Sequence, residues 1–194
     1  MKKVILYGFL LVFLISTGCN SAGKYPRILI STERGNIEAE LYPDKAPESV
    51  AAFLSYVDAG YYNNSSFYRI LRVDGIGAHG TGLIQGGTWS ATGKPGPVVP
   101  GIPHESTKQT GLTHTDGTLS LARTTPGTAG TEFFICIGNQ QQFDYGNSRG
   151  EDKEGFAAFG RVTDGMEIVK EIHDQPYSGD HFVKPVLVRS IKRL

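Results

Sequence analysis

Arg69 stands in Phe67-Tyr68-Arg69-Ile70, a cation embedded in an alternating run of aromatic and aliphatic residues. A guanidinium beside apolar side chains can donate hydrogen bonds to a carbonyl or a nitrogen lone pair without forming a covalent bond. Other chemistries find fewer parts in this chain. It holds no glycine loop followed by Lys-Ser/Thr. His79, His104, His114, His173 and His181 show no His-x-x-x-His spacing, so no metal site is expected. Cys136 sits in the apolar run Phe133-Phe134-Ile135-Cys136-Ile137, the setting of a buried, inert thiol rather than a nucleophile. Cys136 also has no His near it in the sequence to act as its base. Asp144 and Asp152, at loop spacing, read as solvated surface. Taken alone, the residues around Arg69 favour an ordinary surface ion pair.

The elements that must carry Arg69 are mainly strands. Two-residue alternation over Ser66 to Leu71 puts Tyr68 and Ile70 on one face and Phe67, Arg69 and Leu71 on the other. Arg27 to Ser31 and Asn36 to Leu41 read as a hairpin turning at Glu33-Arg34-Gly35-Asn36. Further strands are expected at Leu83–Gln85, Thr118–Ala122, Phe133–Ile137, Ala157–Val162 and Val186–Ile191. One helix starts near Pro47, buries Val50, Phe53, Leu54 and Val57, and ends at Gly60. A second runs from about Gly165 to His173, with Asp164 and Glu167 as a capping box and Met166, Ile168, Val169 and Ile172 as its apolar side. Many short strands with two helices point to a closed or partly closed barrel with the helices plugging its ends. Gly87 to Pro103, crowded with Gly and Pro, reads as a long surface excursion.

Composition agrees. The chain has 194 residues with 25 Gly and 10 Pro, many turns rather than a helical bundle. Its 19 basic and 19 acidic residues give no general electrostatic case for nucleic-acid binding.

The N-terminus reads as an address. Lys2 and Lys3 precede an apolar run from Val4 to Ile15 that is too short to span a bilayer. Ser16-Thr17-Gly18-Cys19 resembles a bacterial lipobox, which implies removal of residues 1–18 and a lipid on Cys19. Residues 19–25 then form a tether and 26–194 a single domain. Loss of the leader takes 19 basic residues to 17 against 19 acidic ones, a net charge of −2. The expected location is the bacterial cell envelope, lipid-anchored and facing the periplasm or the surface.

From about Ile28 to Ile191 the chain resembles the cyclophilin-type peptidyl-prolyl cis–trans isomerases. The motifs are Thr32-Glu33-Arg34-Gly35-Asn36-Ile37, Phe67-Tyr68-Arg69-Ile70, Gln85-Gly86-Gly87, Gly117-Thr118-Leu119-Ser120-Leu121-Ala122, Thr131-Glu132-Phe133-Phe134-Ile135 and Phe159-Gly160-Arg161-Val162, in the family's order. The resemblance implies a mainly β fold, an eight-stranded antiparallel closed barrel capped by two α-helices. It implies an enzyme that rotates X-Pro bonds of Pro-containing polypeptides, assists folding of exported proteins, works as a monomer and needs no cofactor. By the same resemblance Arg69 is the catalytic residue. Gln85, Leu83, Ala122, Arg123, Glu132, Phe134 and Phe143 are the substrate-binding positions.

The chain also departs from the family pattern. Gly82 stands where a pocket aromatic is usual, Glu132 replaces a glutamine and is expected to be able to pair with Arg69, Gln142 replaces a tryptophan, and Phe156 replaces a histidine. The longer connection at Val73 to Gly82 offers Ile76 as a substitute wall. These departures leave a second expectation, a catalytically weak or inactive module that binds Pro-containing polypeptides.

Overall fold

The computed structural model describes residues 24–74, 79–89, 96–147 and 152–194. The leader, Cys19 and Ile76 lie outside them. Nine strands form one antiparallel sheet: β1 (Arg27–Thr32), β2 (Asn36–Leu41), β3 (Ser65–Val73), β4 (Thr81–Gly87), β5 (Thr118–Leu121), β6 (Phe133–Ile137), β7 (Ala157–Asp164), β8 (Tyr177–Ser178) and β9 (His181–Arg193). Their order is β1-β2-β7-β5-β6-β4-β3-β9-β8, and β1 also pairs with β9. That pairing closes eight strands into a barrel and leaves the two-residue β8 as a flap on β9.

The helices follow the apolar pattern. α1 (Pro47–Asp58) starts on its proline, and Gly60 (φ +71°) donates back to the Val57 carbonyl to end it. Val50, Phe53, Leu54 and Val57 are buried, with Phe53 5.0–5.4 Å from Tyr62, Phe133 and Phe159. A single-turn helix, α2 (Thr107–Thr110), comes in addition to the two expected. α1 packs on β7 and β9, while α3 (Met166–His173) packs on β2, β4 and β6 through the buried Val169 and Ile172. The N-cap of α3 is Gly165 in the left-handed region, not Asp164, and no side chain caps it. A Cβ on Gly165 would stand 2.4 Å from the Asn36 carbonyl, so the close approach of β2 sets this position.

The alternation expected for β3 fails at one point. Phe67 pairs with Gly86 and Arg69 with Gln85, so Tyr68 is an extra residue, a β-bulge. Phe67 and Ile70 therefore face the core, whereas Arg69 and Leu71 are exposed. Arg69 and Phe67 do not share a face, as a strict two-residue period requires. The bulge moves the cation onto the outer wall and spares the barrel a buried charge.

Candidate active site

The outer wall carries a cross-strand row. Arg69 on β3 pairs with Gln85 on β4, Gln85 with Phe134 on β6, and Phe134 with Ser120 on β5. The next row is Leu71, Leu83 and Cys136. Side chains opposite one another on neighbouring strands lie about 5 Å apart, so the register alone assembles the site. A groove of about 710 Å³ lies over these rows. Arg69, Leu83, Gln85, Ala122, Arg123, Glu132, Phe134 and Phe143 all line it, joined by Leu71, Val99, Thr128, Phe156 and Asp180.

One end of the groove is apolar. Phe134, Phe143 and Phe156 meet edge-to-face with centroids 5.4–5.5 Å apart. Leu83 and the fully buried Cys136 lie behind them. Burial raises the Cys136 thiol well above its ordinary range, as an inert core thiol requires. Phe156 thus belongs to the apolar wall. Gly82, at φ +147°, admits no side chain there, because a Cβ would stand 1.8 Å from the Leu71 carbonyl oxygen.

The other end is a directed chain of hydrogen bonds. Arg69 Nε donates to Asp180 Oδ2 (2.8 Å) and Nη1 to Gln85 Oε1 (3.2 Å). Gln85 Nε2 donates to the Tyr68 hydroxyl (2.9 Å), which donates to Glu132 Oε2 (2.7 Å). The Trp89 N–H closes the chain on Glu132 Oε1 (2.9 Å). Burial first, and the neighbouring Glu132 second, raise the Tyr68 phenol well above the ordinary tyrosine range. Glu132 does not pair with Arg69. Tyr68, swung outward by the bulge, takes its carboxylate instead, and Gly87 leaves room for it, since a Cβ there would lie 2.3 Å from Oε2. Arg69 pairs with Asp180, whose carboxyl is held below its usual range by Arg69 and then by His181. Both partners are about half exposed, which makes the pair worth about 0.5 kcal/mol.

Two further residues differ from expectation. The Arg123 guanidinium is held by Asp152 (2.9 Å, bidentate) and the Gly155 carbonyl (2.9 Å) and lies 5.2 Å over the Phe156 ring. The Ala122 N–H is committed to the Glu132 carbonyl, so Ala122 can offer a peptide its own carbonyl. Asp144 is not solvated: it accepts from His114 Nδ1 (2.7 Å), and His114 Nε2 lies 2.9 Å from Ser120 Oγ. This has the order of a nucleophilic triad, which no sequence motif marks, but His114 and Ser120 are fully buried behind Phe134. No substrate reaches them, and the trio braces the floor of the groove.

The sequence profile of the family described as cyclophilin type peptidyl-prolyl cis-trans isomerase matches residues 27–193. The chain belongs to the cyclophilin-type peptidyl-prolyl cis–trans isomerase family. It is 33% identical to the peptidyl-prolyl cis-trans isomerase A of Dickeya dadantii over 85% of this chain and 83% of that one. It is 36% identical to the isomerase B of Escherichia coli over 75% and 82%. A solved Cryptosporidium parvum cyclophilin matches the fold with a TM-score of 0.68 at 21% identity, over 88% of this chain and 98% of that one. The same protein solved in the presence of the dipeptide Ala-Pro gives 0.67 at 24% identity, over 86% and 97%. The sequence motifs do not mark Asp180 or Tyr68 as site residues. The signal for Asp180 is faint, an acid after Gly179 at the start of a β-rich run, 111 residues from its partner.

Proposed function

We propose that this chain catalyses cis–trans isomerisation of X-Pro bonds, with Arg69 as the catalytic residue. The observation that carries the reading is the convergence of Arg69, Gln85 and the Phe134 cluster on one open groove. The barrier to rotation is the amide resonance, about 18–20 kcal/mol. In the twisted state the prolyl nitrogen regains a lone pair, and a guanidinium N–H donating to it stabilises that state above either planar form. Arg69 Nη2 has no partner among the described residues, and its two N–H groups are available for this task. The phenylalanine cluster and Leu83 hold the proline ring, while Gln85 and the Ala122 carbonyl hold the peptide backbone. No covalent bond forms or breaks, so the step asks for no cofactor.

Membership of an isomerase family and the names of the relatives support this reading. The test is the rate of isomerisation of Pro-containing peptides by the purified protein and by Arg69→Ala. The variant is expected to lose about 10²-fold in kcat/KM, the cost of removing one preorganised donor. Peptide binding with equal rates for the two proteins would instead select a pure binding module. No acceleration by wild type on several peptides would exclude the enzyme.

We further propose that the protein is exported and lipidated on Cys19, and that its clients are Pro-containing segments of envelope proteins. Lys2-Lys3, the apolar run and Ser16-Thr17-Gly18-Cys19 support this. Incorporation of labelled fatty acid that is lost in Cys19→Ser is the expected result; equal labelling would exclude it.

A further inference from the structure

Asp180 lies in the turn between β8 and β9, and the backbone fixes it against β3. The Ile70 N–H donates to the Asp180 carbonyl (2.9 Å), and the adjacent His181 is the Cα partner of Arg69. The carboxylate is oriented in turn: Oδ2 takes Arg69 Nε at 2.8 Å, and Oδ1 lies 2.6 Å from His181 Nδ1. The His181 ring stands 6.2–6.3 Å from Trp89 and Tyr68.

Arginine is a long side chain, and an untethered guanidinium samples many rotamers. In this groove Gln85 alone would hold it by one contact at 3.2 Å. Asp180 adds a second acceptor on a different nitrogen. Two acceptors on two nitrogens of a planar group set both its position and its plane. They also determine which edge faces the groove: with Nε and Nη1 engaged, Nη2 is presented.

We propose that Asp180 is a positioning residue, holding the Arg69 guanidinium so that Nη2 meets the prolyl nitrogen. The inference rests on the isomerase reading. Asp180 acts through Arg69 and does not itself change bond order; it reduces the number of Arg69 orientations that are not productive. Its side chain is about half exposed on a turn, so its removal leaves the barrel intact.

The test compares kcat/KM on a Pro-containing peptide for wild type, Asp180→Ala, Asp180→Asn, Arg69→Ala and the Arg69→Ala/Asp180→Ala double variant, with melting temperatures. Asp180→Ala is expected to lose about 3- to 10-fold, chiefly in kcat, the scale of a modest misplacement of a catalytic group. Asp180→Asn recovers part of this, because its amide oxygen still accepts from Nε. The melting temperatures match wild type, and Asp180→Ala adds no loss when Arg69 is absent. An active wild type with an equally active Asp180→Ala overturns the proposal and leaves the isomerase reading standing. The same loss from Asp180→Ala in wild type and in the Arg69→Ala variant also overturns it, since the effect would not run through Arg69. A wild type without activity overturns both.

Discussion

Tyr68 donates its hydroxyl to Glu132 at 2.7 Å, and the same oxygen accepts from Gln85. One phenol thus decides the direction of the whole chain of donors. Its proton faces the acid, its lone pair faces the amide, and Gln85 must turn its carbonyl oxygen to Arg69. The negative charge of Glu132 is thereby held at the far end of the chain, where it leaves the Arg69 fork undiminished.

Glu132→Gln removes the charge beside Tyr68. The phenol is raised by burial first and by Glu132 second, so the variant is expected to titrate nearer the ordinary tyrosine range while remaining above it. The measurement is the alkaline absorbance of the phenolate. Isomerase activity should change by no more than about threefold, because the guanidinium keeps both its acceptors. A titration that does not move would show that Glu132 does not face Tyr68 in solution.

Gly82→Ala tests the wall. The added Cβ meets the Leu71 carbonyl at 1.8 Å from a φ of +147°, and backbone offers no flexible end to give way. A loss of about 2–4 kcal/mol is expected from the strain. Denaturant unfolding reads it, and a variant as stable as wild type would mean that β3 and β4 can separate here.

Phe156→Ala removes one ring of the cluster proposed to hold proline. Its contact is made in the planar and twisted states alike, so KM should rise about 5- to 10-fold with kcat little changed. Steady-state kinetics on one peptide series separates the two terms.

Asp152 holds Arg123 and with it the loop behind Phe156. Its carboxyl is lowered to about 2 by the Arg123 hydrogen bonds first and the Glu154 N–H second. A carboxyl depressed in the folded state stabilises above its unfolded value of about 3.9, and that contribution is lost as pH falls toward 2. Wild type should therefore exceed Asp152→Asn in stability at pH 6, with the gap closing between about pH 4 and 2. A gap that does not depend on pH would remove the ion pair from the account.

The hairpin of β1 and β2, the apolar face of α1 and the run Phe133 to Ile137 were legible because each keeps one period from end to end. Arg69, Gln85, Phe134 and the other groove residues came from family motifs, and they do line one groove. What stayed hidden is what periodicity does not encode. The bulge at Tyr68 leaves no mark in composition. Asp180 meets Arg69 only because β9 lies beside β3 in the closed barrel. His114, Ser120 and Asp144 have no motif spacing, and the path of β5 and the loop after β6 bring them together. Asp164 failed as a cap because β2 passes too close to the start of α3.

The extra residue in β3 has a consequence for how the strand tolerates change. β3 is written in two reading frames: one places Phe67 inward, and the next, one step later, places Ile70 inward and Arg69 out. Substituting Tyr68 would preserve that shift, and deleting it would merge the frames into one alternation in which Phe67 still faces in and Arg69 still faces out, opposite Gly86 and Gln85 as before. The direction of Arg69 is thus set by its register with Gln85, and deletion of Tyr68 should cost the phenol that joins Gln85 to Glu132 while leaving the guanidinium on the outer wall.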